Sequence, residues 1–231
     1  METSTNTSTE TRSDTDATDA TAPTVLLTGY EPFGDFETNP ARQLAARLDG
    51  TDLGTHTVVG RELPVVFDQA ADVLESAIDE HDPDIVCALG LAGGRNTLSL
   101  ERVGINLRDT SASGIPDNDD REPVDECVVA DGPDAYFTTL PVRAMKAAMQ
   151  DAGVPTTLST DAGTHCCNNL LYAARHLVET EASTVDDCDV GFVHVPFSHV
   201  QAAARDEGEP SMALETMQEG LLVGLEAACS R

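Results

Sequence analysis

Lysine is almost absent from this chain, which carries Lys146 alone beside twelve arginines, and there is no tryptophan among its 231 residues. Against these 13 cations stand 41 aspartates and glutamates, a formal charge of −28. That balance argues against a nucleic-acid-binding protein, because phosphate contacts need clustered Lys or Arg and so acidic a surface repels a polyanion. Long hydrophobic runs are missing too. No window approaches the roughly 18 consecutive apolar residues of a membrane span, and no basic segment followed by an apolar one stands near Met1. The expectation is a soluble, unexported, cytoplasmic protein that makes no membrane contact. Six cysteines spread over so long a chain do not suggest a disulfide framework, so most should be buried thiols, with the adjacent pair Cys166-Cys167 set apart.

What is present fits a folded body behind a tail. Residues 1–23 hold eight Thr, three Ser and five acids with no aliphatic side chain beyond Ala and Met1, too little to offset the entropy of ordering a backbone. They read as a disordered acidic tail. Its removal leaves −24 on the 208 residues of 24–231, a stretch that no second linker divides and that reads as one domain. An acid excess with one Lys is the composition of a halophilic protein, in which salt screens the self-repulsion; the alternative is an ordinary acidic cytosolic protein.

Beyond the tail, short apolar runs alternate with amphipathic segments. Strands are predicted at Thr24–Thr28 (ended by Gly29), His56–Val59, Ile85–Leu89, Leu98–Leu107, Val154–Ser159 and Val190–Val195. Helices are predicted from Asn39-Pro40 to Leu48, at Phe67–Glu80, Leu140–Ala152 and Cys167–Val178, and at Met212–Cys229 with Ser211 as N-cap. This order implies crossover connections and a three-layer α/β/α sandwich around a mainly parallel sheet. Ligands of such sheets bind beyond the carboxyl ends of the strands.

Several loops at those ends carry chemistry. Gly29-Tyr30-Glu31-Pro32-Phe33-Gly34 presents two aromatic rings. Gly90-Leu91-Ala92-Gly93-Gly94-Arg95 has glycine-rich turn character without the spacing or the Lys of a phosphate loop, and reads as a tight backbone turn beside a substrate. Thr164-His165-Cys166-Cys167-Asn168 joins a strand to a helix. A thiol there meets the positive end of the helix dipole, which is expected to lower its pKa and suit it to nucleophilic attack. His194 lies near the end of a strand whose neighbours Val193 and Val195 point the other way, so its ring can face the same crevice. A buried thiol and a satisfied core imidazole are the bland alternative. Metal binding by His165, Cys166, Cys167 and His194 is disfavoured, since adjacent cysteines are poor zinc ligands and no second pair follows.

Together and in order, these segments resemble the pyroglutamyl peptidase I (pyrrolidone-carboxylate peptidase) family of cysteine exopeptidases, from about Val25 to the C-terminus. The carrying motifs are LLTGYEPFGDFETNPA, GLAGGRNTLSLERVGIN, STDAGTHCCN and GFVHVPF. The resemblance implies a catalytic triad of Glu101, Cys167 and His194, with Cys167 preferred to Cys166 because the family's nucleophile directly precedes Asn. It implies a substrate pocket at Tyr30, Phe33, Leu91, Ile115, His165 and Cys166, a small peptide substrate with an N-terminal pyroglutamate, no cofactor, no metal, and a homo-oligomer, in the family a tetramer. The sequence departs from the pattern at His165 (usually aromatic), Cys166 (usually aliphatic) and Leu91 (usually Gln). The stretch Asp109–Gly114 is longer and lacks the family's Arg before Ile115. Rival readings are a cysteine hydrolase of the same fold acting on another small cyclic amide, and a catalytically silent pyroglutamate-binding relative.

Overall fold

The computed structural model describes Met1 and residues 23–180, 188–205 and 208–230. The predicted tail falls outside these residues apart from its two ends. In chain order the elements are β1 (Thr24–Tyr30), α1 (Pro40–Leu48), β2 (Thr57–Leu63), α2 (Phe67–His81), β3 (Ile85–Leu91), β4 (Leu98–Glu101), β5 (Val103–Ile105) and β6 (Ala135–Phe137). There follow α3 (Val142–Asp151), β7 (Thr156–Ser159), α4 (Cys166–Glu179), β8 (Asp189–Val195), β9 (Phe197–Ser198), α5 (His199–Ala203), β10 (Ser211–Met212) and α6 (Leu214–Cys229).

Six strands form the central sheet in the order β2-β1-β3-β8-β4-β7. Four of them, β2, β1, β3 and β8, run parallel, while β4 pairs with β8 antiparallel and with β7 parallel. The strand period of two sorts side chains onto two faces. Val25, Leu27, Cys87, Leu89, Val193 and Val195 pack with α1, α3 and α6 on one face. Leu26, Val86, Ala88, Val190 and Phe192 pack with α2 and α4 on the other. Each buried aliphatic side chain contributes roughly 1.5–3 kcal/mol, and in β3, covered on both faces, every residue is buried. No helix among the described residues is long and apolar enough to cross a membrane.

The helices begin and end for local reasons. Asn39 caps α1 by accepting from the Ala41 N–H, with Pro40 in the first turn. Asp82 closes α2 in a left-handed conformation at φ 43°. β2 and β3 run on to Leu63 and Leu91, and α3 and β7 begin at Val142 and Thr156, two residues or more from the expected bounds; three further departures have a clear physical reason. Gly29 does not end β1, which continues to Tyr30; a side chain there would strike Ala41 of α1, its Cβ falling 2.2 Å from the carbonyl oxygen, so the glycine serves close helix-strand approach. Ser211 is not the cap of α6: it pairs in β10 with β9, and α6 starts after Ala213 without a side-chain cap. The long strand Leu98–Leu107 is two strands. After Arg102 the chain leaves the central sheet, and β5 pairs antiparallel with β6 in a separate ribbon. Apolar alternation runs through both pieces and so does not reveal the break.

Candidate active site

The side chains of interest converge on the α2/α4 face. In β8, Val190, Phe192 and His194 share that face, and in the β4–β8 register Ser99 lies opposite His194 and Glu101 opposite Phe192. Glu101 therefore reaches His194 diagonally, from the last residue of a strand that runs against β8. Its Oε1 lies 2.8 Å from His194 Nδ1. The same oxygen accepts from Arg95 Nη1 at 2.7 Å, and Arg95 Nη2 donates to the Asp161 carbonyl at 2.9 Å. Glu101 is fully buried and His194 nearly so.

Cys167 occupies the second position of α4. Its Sγ stands over Gly90: a Cβ added at that glycine would lie 2.7 Å from the sulfur and equally close to the Phe192 ring. Gly90 is the strand neighbour of His194, so the thiol lies over the sheet face that carries the imidazole. Gly90→Ala is expected to push the sulfur aside and lower kcat/KM by about 10²-fold, the effect of roughly 1 Å of misplacement. Steady-state kinetics with a thermal melt separate that loss from overpacking, which costs about 1–3 kcal/mol.

Electrostatics set the resting state. Burial, and secondarily the Glu101 charge, push the Cys167 thiol up to about 12, against the lowering expected from the helix dipole. Desolvation outweighs the dipole here. Burial also depresses the His194 pKa, opposed by the hydrogen bond and charge of Glu101. Glu101 feels burial as an upward push, yet the His194 contact, the Ser159 hydroxyl and Arg95 hold its pKa below the ordinary value. The result is a neutral thiol and a neutral imidazole on an ionised carboxylate, a state in which the imidazole can take the thiol proton when attack begins.

Beside the thiol, a pocket of about 110 Å³ is lined by Tyr30, Phe33, Leu91, Ile115, His165, Cys166 and Cys167, and also by Asn39, Val65 and Ser113. Its lining is mainly apolar. Tyr30 donates its hydroxyl to the Cys166 carbonyl at 2.7 Å, anchoring the start of α4 to the end of β1. His165 Nε2 sits 3.1 Å from the Ile115 carbonyl, its ring lies 5.0 Å from Phe67, and burial keeps its pKa lowered. Asp117 holds that loop from below by accepting from the Phe67, Asp119 and Arg121 N–H groups. Arg108 and Arg121, the loop's arginines, turn away to Asp68. The N-cap residue His165 makes no side-chain cap bond, and the N–H groups of Cys166, Cys167 and Asn168 precede the first intrahelical bond, which runs from Asn169 to the His165 carbonyl. No cluster of three or more His, Cys, Asp or Glu suited to a metal occurs among the described residues.

Arg95, Asn39, Val65 and Ser113 were not anticipated. Arg95 has a sequence signal: an arginine after Gly93-Gly94 is conspicuous in so cation-poor a chain. Val65 and Ser113 carried none, because only the fold brings them to Tyr30.

A three-layer α/β sandwich with a thiol at a strand-helix junction, over an imidazole held by a buried carboxylate, has the architecture of a cysteine hydrolase. The sequence profile of the pyroglutamyl peptidase family matches residues 23–231, and the chain belongs to that family. It is 46% identical over 209 residues to the pyrrolidone-carboxylate peptidase of Cupriavidus taiwanensis, covering 90% of this chain and 94% of the relative. It is 40% identical to that of Bacillus licheniformis, covering 86% and 89%. Among solved structures, pyroglutamyl peptidase I of Bacillus amyloliquefaciens superposes with a TM-score of 0.85 at 33% identity, over 90% of this chain and 98% of the other. A mutant pyrrolidone carboxyl peptidase of Pyrococcus furiosus gives 0.83 at 37%, over 89% and 98%.

Proposed function

We propose that this protein removes an N-terminal pyroglutamyl residue from peptides, with Cys167 as nucleophile, His194 as general base and acid, and Glu101 as the group orienting the imidazole. The supporting observation is the 2.8 Å Glu101–His194 contact on the sheet face beneath the Cys167 sulfur. A five-membered lactam is small and uncharged, which suits an apolar pocket of about 110 Å³ rimmed by backbone groups.

In this reading the lactam ring enters between Tyr30, Phe33, Ile115 and Cys166, which sets the carbonyl that follows it beside Cys167. His194 takes the thiol proton as sulfur attacks, giving a thiolate-derived tetrahedral adduct and an imidazolium that Glu101 stabilises. The first-turn N–H groups of α4, which precede its first intrahelical bond, receive the oxyanion, so the missing arginine before Ile115 need not be replaced by a side chain. His194 then protonates the leaving amine, and water hydrolyses the thioester by the same route. No step calls for a metal or an organic cofactor.

Arg95 acts through Glu101 and is a positioning residue. Its guanidinium joins the carboxylate to the Asp161 carbonyl in the loop leading to Cys167. Arg95→Met is expected to lower kcat roughly 10–100-fold with little change in KM, as for a group that orients rather than binds. The Arg95 charge depresses the His194 pKa and its hydrogen bond depresses that of Glu101. Removing it raises both, so the acid limb of the kcat/KM profile moves to higher pH. Arg95→Lys restores part of the shift. A pH profile unchanged by Arg95→Met contradicts this role.

The test of the function is hydrolysis of pyroglutamyl-aminomethylcoumarin in molar salt. Turnover supports the reading. No turnover with tight pyroglutamate binding favours the silent binder, and turnover only of other cyclic amides favours the altered hydrolase.

A further inference from the structure

A second cavity, of about 670 Å³, adjoins the ring pocket. The two share Phe33 and Ile115. Ile115 is 39% exposed where Tyr30, Leu91 and Cys166 are buried, so the ring pocket opens past it into the larger cavity. The proposed reaction says what belongs on that side. His194 protonates the leaving amine, so the residue carrying that nitrogen stands on the His194 side of the scissile bond. The chain that continues from β8 builds the far wall there: the Phe197 ring lies against Gly93, where an added Cβ would fall 2.5 Å from it, and α5 beyond contributes Val200.

The walls are built before any peptide arrives. Phe33, Phe36 and Phe197 form a row of rings with centroids 5.5 Å apart at each step. Buried Gln201 donates to the Thr38 carbonyl at 2.9 Å while Ser198 caps α5, which ties the α5 wall to the loop that follows β1. Between these walls Val200 is 78% exposed, a large apolar side chain facing the same cavity as Ile115. Arg205, the cation of the lining, lies over the Phe36 and Phe197 rings at 5.6 and 5.1 Å and pairs with Glu209. Asp35 and Glu37 add two exposed carboxylates, so the balance of the lining is negative.

We propose that this cavity receives the residue that follows pyroglutamate, and that it selects peptides in which that residue is large and apolar over those in which it is small or acidic. The inference rests on the peptidase reading above. A leucine laid between Val200, Ile115 and Phe36 removes from water carbon surface that the free protein exposes, whereas the methyl of an alanine reaches little of it. An acidic side chain meets Asp35 and Glu37, a repulsion between exposed groups that molar salt screens. Binding outside the ring pocket helps hold the scissile carbonyl at Cys167 and so appears in kcat/KM.

The test is kcat/KM of the full chain for four pyroglutamyl dipeptide amides, with Ala, Leu, Gln or Glu after the lactam, compared within each salt so that changes in the folded fraction cancel. Leu is expected to exceed Ala about tenfold at both 0.1 M and 2 M KCl. Gln is expected to exceed Glu about threefold at 0.1 M, and the two to converge at 2 M. Val200→Asp, at a position too exposed for the fold to depend on it, should bring the Leu-to-Ala ratio toward one, and Glu37→Lys should close the Gln-to-Glu gap at 0.1 M. Equal rates for Leu and Ala, a Leu-to-Ala ratio unmoved by Val200→Asp, or a Gln-to-Glu gap unmoved by Glu37→Lys would overturn the subsite and leave the peptidase reading standing. Hydrolysis of none of the four would overturn the peptidase reading itself, and the subsite with it.

Discussion

Replacing Cys167 by Ala is expected to lower turnover of pyroglutamyl-aminomethylcoumarin by at least about 10³-fold, while Cys166→Val stays within about tenfold of wild type. The adjacent thiols differ in what surrounds them. Cys166 is buried in the pocket wall, its carbonyl held by Tyr30, and burial raises its pKa. Cys167 alone stands over Gly90 beside His194. A substitution at Cys166 changes the ring pocket and is expected to show in KM. Cys167→Ala removes the bond-forming atom and shows in kcat, with the fold retained because the lost sulfur is small. Iodoacetamide inactivation mapped to Cys166 would reverse the assignment.

The second large effect concerns salt. The melting temperature and turnover are both expected to rise between 0.1 M and 2 M KCl, the former by roughly 10 °C or more, which for a chain of this size corresponds to several kcal/mol. Of the ion pairs, those of Arg42, Arg47 and Arg205 join partly exposed side chains, and pairs of that kind are worth about 0–1 kcal/mol and lose little when screened. Carboxylates outnumber cations 41 to 13, so the larger electrostatic quantity is like-charge repulsion. The Debye length falls from about 10 Å at 0.1 M to about 3 Å at 1 M, which removes most repulsion between surface groups. The buried Glu101–His194 and Glu101–Arg95 contacts are screened far less. A neutral lactam loses nothing to screening, so activity should follow stability. Equal melting temperature and turnover at the two salts would return the composition to that of an ordinary acidic protein.

The elements that position the site were legible because they repeat physical patterns. Asn39-Pro40 caps and starts α1 as its residue types demand. The unbroken apolar run at Ile85–Leu89 lies in a strand buried on both faces. His194 and its apolar neighbours divide between the faces as a period of two requires. The motif resemblance supplied the pairing of Glu101 with His194, which no spacing in the chain could show. What stayed hidden depends on the fold alone. The reversal of β4 against β8 leaves no mark in a four-residue strand, and the break at Arg102 lies within continuous apolar alternation. The raised Cys167 pKa is hidden too, because the helix dipole is a local property, whereas desolvation depends on how Phe192 and the sheet pack beneath the sulfur.

The most direct measurement is acid quenching of the enzyme during turnover of a pyroglutamyl substrate, followed by peptide mapping of the acylated residue. The account predicts a pyroglutamyl thioester on Cys167, retained in Cys166→Val and absent in Cys167→Ala. A thioester on Cys166, or continued turnover in Cys167→Ala, would contradict it.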